Sequence, residues 1–436
     1  MKKSLFAIAA VTAFAGAAQA QSSVTVYGIL DVGYVGGNAK ATTINATGGQ
    51  VTPQENFSQF GQSAQTTSRL GFRGTEDLGG GLSALFVLET GLQPNQSTLS
   101  SFNNRQTFVG LAQKGMGNAR IGTQYTPIHE AVGATGANQQ NNLVGDVIYP
   151  QNTGLTNRDG SASNANAGYT VRANNMIRLQ TESMAGFSVK AFAVQNGRDE
   201  NQTSYATNNT TSTSTAQRYT TGLGYTGGNT NQNGFGFGLD YTWKKLLVTA
   251  NYQSFTNENS WTSQANLVPV GTATAVNSAT VGIAVNSVAA AAGRLSNTKD
   301  NQMYAGATYD FGILKAYAQY IDRKVTSGLD GNVYGKRSAQ QIGVRSFVTP
   351  KVELWASGGL GRNETFGSSN PTQNFTGYQL GANYLLSKRT NLYGIFGATN
   401  TSTASGQVEL ANGATSATRS FSSNANNYGV GIRHTF

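Results

Sequence analysis

The chain has no cysteine, only 7 prolines and 2 histidines among 436 residues, and charged side chains make up just 11%. Without cysteine there is no disulfide scaffold and no thiolate metal site, so rigidity has to come from hydrogen-bonded structure. His129 and His434 stand far apart and the acidic residues are scattered without ligand spacing, which excludes a recognisable metal centre and predicts no cofactor. Beyond the first residues no run approaches the roughly 20 apolar residues a membrane helix requires. The nearest, residues 272–292, is interrupted by Asn277, Ser278, Thr280, Asn286 and Ser287 and reads as a loop with a helical turn. A mean hydropathy of -0.32 fits a soluble protein equally well. It does not exclude a barrel, whose strands of about 9 to 11 residues offer lipid only every second side chain.

Glycine (54) and aromatic residues (19 Tyr, 20 Phe) are abundant, as suits a large sheet with aromatic girdles. The last twelve residues are the clearest case. Tyr428, Val430, Ile432 and Phe436 share one parity, and Asn427, Gly429, Gly431, Arg433 and Thr435 share the other. Successive side chains of a strand point to opposite faces, so one face is greasy and the other polar or tiny. At the opposite end, Lys2 and Lys3, the apolar run from Leu5 to Ala15 and Ala18-Gln19-Ala20 have the form of a secretory leader over residues 1–20. Residues 21–436 then form one domain.

Strand pairs run from Val24 to Phe436, and sixteen antiparallel strands are expected. Val24, Val26, Leu30 and Val32 face one way in the first, Tyr27 and Asp31 the other. Short turns fall at Glu76–Gly80, Lys114–Gly117, Met184–Gly186, Lys244–Lys245, Gly312–Ile313, Thr349–Lys351 and Ser387–Arg389. Long polar loops are expected at 201–216, 257–301 and 399–424, and one without regular elements from about Pro127 to Thr170. Arg218 to Thr226 alternates like a strand but falls inside what the pairing scheme treats as the fourth long loop. Cations recur on the face that a two-layer sandwich would bury: Lys190, Lys315, Arg323 and Arg345. A water-filled lumen hydrates them at little cost, and about sixteen strands leave such a channel.

Other classes find little support. No G-x-S-x-G element occurs, and His129, in a polar loop without an identifiable partner, reads as a solvated side chain, so the chain is not expected to be an enzyme. The glycine string Gly234 to Gly238 lacks the Lys-Ser/Thr of a phosphate loop. Cations are spread over strands with no recognition helix, so no nucleic-acid partner is expected.

The sequence reads S-R-L-G-F-R-G-T-E-D-L-G-G-G-L from Ser68, R-Q-T-F-V-G-L from Arg105 and R-I-G-T-Q-Y-T-P from Arg120. R-A-N-N-M-I follows from Arg172, Y-L-L-S-K-R-T-N-L-Y from Tyr384 and G-V-G-I-R-H-T-F from Gly429. Together these closely resemble the general porins of neisserial and other beta-proteobacterial outer membranes, over nearly the whole mature chain. The resemblance implies a 16-stranded transmembrane β-barrel with its third loop folded inward, a homotrimer with one pore per barrel, and residence in an outer membrane of lipid and lipopolysaccharide. It also gives Phe436 a role as the signal read by the barrel-assembly machinery. Two departures stand out: Ser183-Met184-Ala185-Gly186-Phe187 lacks the usual Pro-Glu, and Thr123 stands where many members carry a pore arginine.

For the pore constriction the expected wall residues are Arg69, Arg73 and Arg105. Parity points Arg69 and Arg73 inward, and the resemblance places Arg69 and Arg105 near the narrowest point. The third loop brings Glu130, Asp146, Arg158 and Asp159. An alternative pairs Arg73 with Glu76 or Asp77 at the rim. Tyr27, Asp31, Glu89, Arg178, Lys190 and Lys315 are expected to line the pore. Formal net charge is +10, or +8 once Lys2 and Lys3 go with the leader. Charges crowded at a constriction escape salt screening, which predicts a passive channel for ions and small hydrophilic solutes with modest anion preference. The rival readings are a sugar-specific channel, with Tyr27, Tyr304, Tyr317 and Tyr393 as an aromatic slide, and a surface adhesin on the same barrel.

Overall fold

The computed structural model describes residues 23–44, 50–97, 104–151, 168–209, 220–259, 262–263, 296–328, 331–365, 372–403, 406–409, 415–419 and 421–436. The leader, the 272–292 stretch, Arg158 and Asp159 lie outside them. Sixteen strands alternate up and down. They are β1 (Ser23–Ile44), β2 in two parts (Gln54–Gln62 and Arg69–Gly79), β3 (Leu82–Gly91), β4 (Asn104–Gln113), β5 (Gly117–Tyr125), β6 (Arg172–Thr181), β7 (Phe187–Asn209) and β8 (Thr220–Trp243). They continue as β9 (Leu246–Asn259), β10 (Ser296–Asp310), β11 (Lys315–Ser327), β12 (Tyr334–Thr349), β13 (Val352–Thr365), β14 (Gln373–Leu385), β15 (Thr390–Thr403) and β16 (Phe421–Thr435).

Each strand pairs antiparallel with the next, and β16 returns to β1 in a register running from Ile29↔Thr435 to Thr43↔Phe421. The sheet is therefore a closed barrel. Closure removes the edges, which in hydrocarbon would leave unpaired backbone groups costing several kcal/mol each. The seam finishes at the terminal residue, where Gly28 N donates to Phe436 O and Phe436 N to Gly28 O, both at 3.1 Å.

The two-residue period sorts the faces as expected. Val26 is 52% exposed, Val109 59%, Ile121 56% and Val430 52%, whereas Asp31, Glu89, Gln124 and Arg178 on the other parity are buried. A face that is both apolar and exposed belongs against lipid.

Three expectations are corrected. Strands reach well into the polar segments: β7 extends to Asn209, β9 to Asn259, β10 starts at Ser296, and Gly406–Glu409 pairs with Thr415–Arg419 in a small hairpin. Backbone pairing needs no apolar face, so a Thr- and Asn-rich ladder continues in water beyond the lipid belt. From Thr220 onward the ambiguous 218–226 stretch is the upper part of β8, paired with β7, and adds no seventeenth strand. At the first short turn β2 runs on to Gly79, leaving Gly80 and Gly81, both at positive φ, to make the reversal.

Between β5 and β6 lies helix α1 (Pro127–Thr135), where no regular element was expected. Thr126 caps it, accepting from His129 N, and Pro127 at the first turn costs no hydrogen bond. Thr126 also closes the segment: its N donates to Val171 O at 3.1 Å and its Oγ1 to Thr170 O at 2.7 Å.

Candidate functional site: a guanidinium cluster on the inner wall

Ile128, Ala131 and Val132 of α1, with Val147, Ile148, Tyr149 and Tyr169, form one buried cluster with Tyr304 of β10, Ile321 of β11, Ala339 of β12 and Phe375 of β14. Farther along, Leu143 packs with Val35, Ala64, Trp355, Tyr393 and Ile395. Polar contacts follow the same route. Gln379 Nε2 donates to Leu143 O and Val144 O, both at 2.9 Å, Arg337 Nη2 to Val147 O at 2.7 Å, and Arg345 Nη2 to Ala137 O at 2.5 Å. Thr170 N donates to Gln302 Oε1 at 2.7 Å. Residues 127–149 thus touch inner-parity side chains of β10 to β15. Glycines make room for the approach: a Cβ on Gly397 would fall on the Val144 carbonyl oxygen, and one on Gly377 would come within 2.5 Å of Gly145 O.

Across from those strands the inner wall of β2, β4 and β6 carries arginines. Arg105 Nε donates to Glu89 Oε1 at 2.6 Å, Arg69 Nη1 stands 3.9 Å from the same oxygen, and the Tyr27 hydroxyl donates to Glu89 Oε2 at 3.1 Å. Arg105 Nη2 reaches the Tyr125 hydroxyl at 2.5 Å, and Arg172 lies over the Tyr125 ring at 5.7 Å. Arg69, Arg105 and Arg172 thus gather round one carboxylate and leave a local excess of positive charge. In the sequence Arg172 stands out only as the first residue of the R-A-N-N-M-I motif. Its parity gives no cue, because β5 and β6 lose register between Gly122 and Gln124.

The other expected site residues divide. Arg73 sits over the Tyr27 ring at 5.4 Å and, among the described residues, makes no ion pair with Glu76 or Asp77. Glu130 is held by Arg178, with Oε1 at 2.7 Å from Nη1, and lies 3.6 Å from Lys190, which in turn pairs with Asp240 at 2.7 Å. Burial would raise the Glu130 pKa, but Arg178, Lys190 and Arg120 together hold it below the ordinary carboxylate value. Arg178 is completely buried, so it and Lys190 anchor the start of the 127–171 segment and face little water.

Asp146 is buried inside its own turn, accepting from Ile148 N at 2.7 Å, Tyr149 N at 2.9 Å and Asn138 Nδ2 at 2.6 Å. Burial raises its pKa, and these hydrogen bonds oppose the rise. Asp31 is likewise fully buried, accepting from Gln65 N at 2.9 Å, Thr66 N at 2.6 Å and the Tyr393 hydroxyl at 2.6 Å. It fastens the interruption of β2, where Ser63 takes a φ of 62°. Lys315 lies over Tyr317 at 5.3 Å, and Arg345 over the same ring at 5.6 Å.

His129 departs from the solvated side chain expected. It is buried among Tyr125, Tyr149 and Tyr169, with Nδ1 3.1 Å from the Tyr169 hydroxyl and 3.2 Å from Gln140 Nε2. Burial, then the charges of Arg172, Arg105 and Arg69, push its pKa down to about 3. An aromatic slide also finds little room: Tyr304 is fully buried against Thr135 and Gln319, and Tyr393 is tied to Asp31.

A family model described as Gram-negative porin matches residues 7–404. The chain belongs to that family. An outer membrane porin of Bordetella pertussis is 36% identical over 194 residues, 43% of this chain and 46% of the relative. Outer membrane porin protein 32 of Delftia acidovorans is 36% identical over 195 residues, 43% and 48% respectively. Major outer membrane protein P.IB of Neisseria gonorrhoeae is 33% identical over 148 residues, 34% and 39%. These matches span about half the length of the curated relatives or less. Among solved structures, an anion-selective porin from Comamonas acidovorans superposes with a TM-score of 0.57 at 22% identity, covering 95% of this chain and 100% of that one. OmpT of Vibrio cholerae gives 0.55 at 14%, covering 95% and 98%. At those identities the porin-family chain and these structures share the fold alone.

Proposed function

We propose that the protein is an outer-membrane porin: a water-filled channel for passive diffusion of ions and small hydrophilic solutes, with a modest preference for anions and no enzymatic activity. The observation that carries this reading is the grouping of Arg69, Arg105 and Arg172 around the single carboxylate of Glu89, on the inner wall of a closed barrel with an apolar exposed belt. Residues 127–149 narrow the path from the opposite wall, so a passing ion comes close to fixed guanidinium groups where solvent screens them least. Arg69 and Arg105 set the selectivity and Arg172 assists. Glu130 and Asp146 hold the segment rather than face the solute, and Arg158 and Asp159 contribute charge to the constriction.

The remaining parts of the reading follow family membership. Residues 1–20 are a cleaved leader, Phe436 is the assembly signal, and the mature barrel sits as a homotrimer among outer-membrane lipid and lipopolysaccharide. The test is a planar-bilayer recording of the purified protein in asymmetric KCl. Stepwise conductance with a reversal potential on the chloride side is expected, and Arg69→Ser with Arg105→Ser should move it toward zero. Cation preference, or selectivity indifferent to the double substitution, would overturn the reading.

A further inference from the structure

On the inner wall between the arginine cluster and the short turns lies a cavity of about 400 Å³, with Thr25, Arg73, Thr75, Asn118, Arg120 and Gln180 in its lining. Arg73 is four residues closer to the β2–β3 turn than Arg69, roughly 13 Å along the strand. Arg120 lies three residues after the β4–β5 turn. The cavity therefore extends from the Arg69–Arg105–Glu89 group toward the short turns, with Tyr27, which carries Arg73 on its ring and bonds Glu89 through its hydroxyl, between the two.

The other inner-wall charges nearby are already matched. Glu89 serves Arg69, Arg105 and Tyr27, while Glu130 and Asp240 take up Arg178 and Lys190. Arg73 and Arg120 have no such direct partner, and Arg120 acts on Glu130 only at longer range. Among the described residues neither has a carboxylate within ion-pair distance. Arg73 has only the Tyr27 ring beneath it, and Arg120 lies over the Phe108 ring at 5.2 Å with Nη2 donating to Gln180 Oε1 at 3.0 Å. The Arg120 Nε is buried and has no hydrogen-bond partner.

A guanidinium held flat on an aromatic ring keeps its N–H edge free, and one cavity wall carries two such edges, Arg73 beside the Thr25 hydroxyl and Arg120 beside the amides of Asn118 and Gln180, donors that suit an oxyanion with several acceptor oxygens. We propose that this cavity is a saturable site for a small multivalent oxyanion of the phosphate class, a second station beside the arginine cluster on the short-turn side. The inference rests on the channel reading above, since the site is reached only through the lumen.

The test uses the full-length barrel in planar bilayers, with chloride as the current carrier and inorganic phosphate as the probe. Phosphate added on the short-turn side should reduce the chloride current saturably. Arg73→Gln with Arg120→Gln should raise the half-blocking concentration about ten-fold or more, the loss expected for two charge-assisted contacts. Arg69→Gln with Arg105→Gln should instead change chloride-over-potassium selectivity while leaving the phosphate block in place. If the Gln pair fails to insert, Arg73→Lys with Arg120→Lys keeps both charges without the planar fork and should weaken the block several-fold. Absence of block in the wild type, block unchanged in the Gln pair, full block in the Lys pair, or block lost only with Arg69 and Arg105 would overturn the site. A channel that carries no chloride current at all would sink the porin reading instead, so the two failures are distinguishable.

Discussion

Single inward side chains here divide into those that balance the guanidinium cluster and those that hold the wall in shape, and parity alone does not separate them. Glu89 and Asp31 both point inward. Glu89 balances a guanidinium cluster, whereas Asp31 is surrounded by two backbone N–H groups and a tyrosine hydroxyl. Their substitutions should therefore differ. Glu89→Gln removes the one carboxylate among three arginines, and the reversal potential in asymmetric KCl should move further toward chloride. Asp31→Ala leaves two buried donors and Tyr393 unsatisfied, at about 1–3 kcal/mol each in the worst case. Its expected signature is a lower thermal midpoint of the detergent-solubilised barrel, with selectivity little altered. Unchanged melting would show that the β2 interruption does not depend on this acceptor.

At the scale of elements, α1 and the residues after it depend on burial in a way that makes them pH-sensitive. His129 is held near a pKa of about 3, against an ordinary value of 6.5. In a detached segment it would take up a proton near 6.5, while the packed form refuses it until about 3. Packing is thus favoured fully above 6.5 and loses stability progressively as pH falls through that window. Channel current should become noisier between pH 6 and 4, and His129→Gln should flatten the dependence. Glu130 adds to this at still lower pH, because its depressed pKa means the ion pair with Arg178 is lost only below the ordinary carboxylate range.

The same element tests the glycine contacts. In Gly397→Ala the new methyl meets the Val144 carbonyl oxygen, so the segment must shift from the wall and single-channel conductance should change measurably. Thr126→Ala removes the cap of α1 and the tie to Thr170, for about 1 kcal/mol. The helix itself was hard to see in advance. Pro127 and Glu130 are start signals, but nine residues ending in Gly-Ala-Thr form too short a run to stand out from a polar connection.

For the whole molecule, closure between β1 and β16 is the decisive event, and it ends on the paired backbone bonds of Gly28 and Phe436. Deleting Phe436 removes both bonds and the ring lying against Gly28. The yield of heat-modifiable, folded barrel in the outer membrane should fall sharply, and normal yield would argue that the last aromatic residue has no part in assembly.

Sixteen spanning strands, their parity and their short turns were legible in the residues, because a strand exposed to lipid on one side and water on the other must alternate with period two. That local rule also put Arg69, Arg73 and Lys315 on the inner face. It could not say which inner residues meet water. Arg178 and Lys190 became anchors through Glu130 and Asp240, Asp31 through Gln65, Thr66 and Tyr393, and His129 a core residue among Tyr125, Tyr149 and Tyr169, while residues 127–149 as a whole fold against strands more than 150 positions later in the chain. Contacts of that sequence separation depend on three-dimensional closure rather than on local pattern. The sequence determined the cylinder and the sign of its surplus charge. Only the tertiary structure decided which of those charges stay unmatched, because ion pairing depends on strand register and on where α1 sits, distances that no periodicity records.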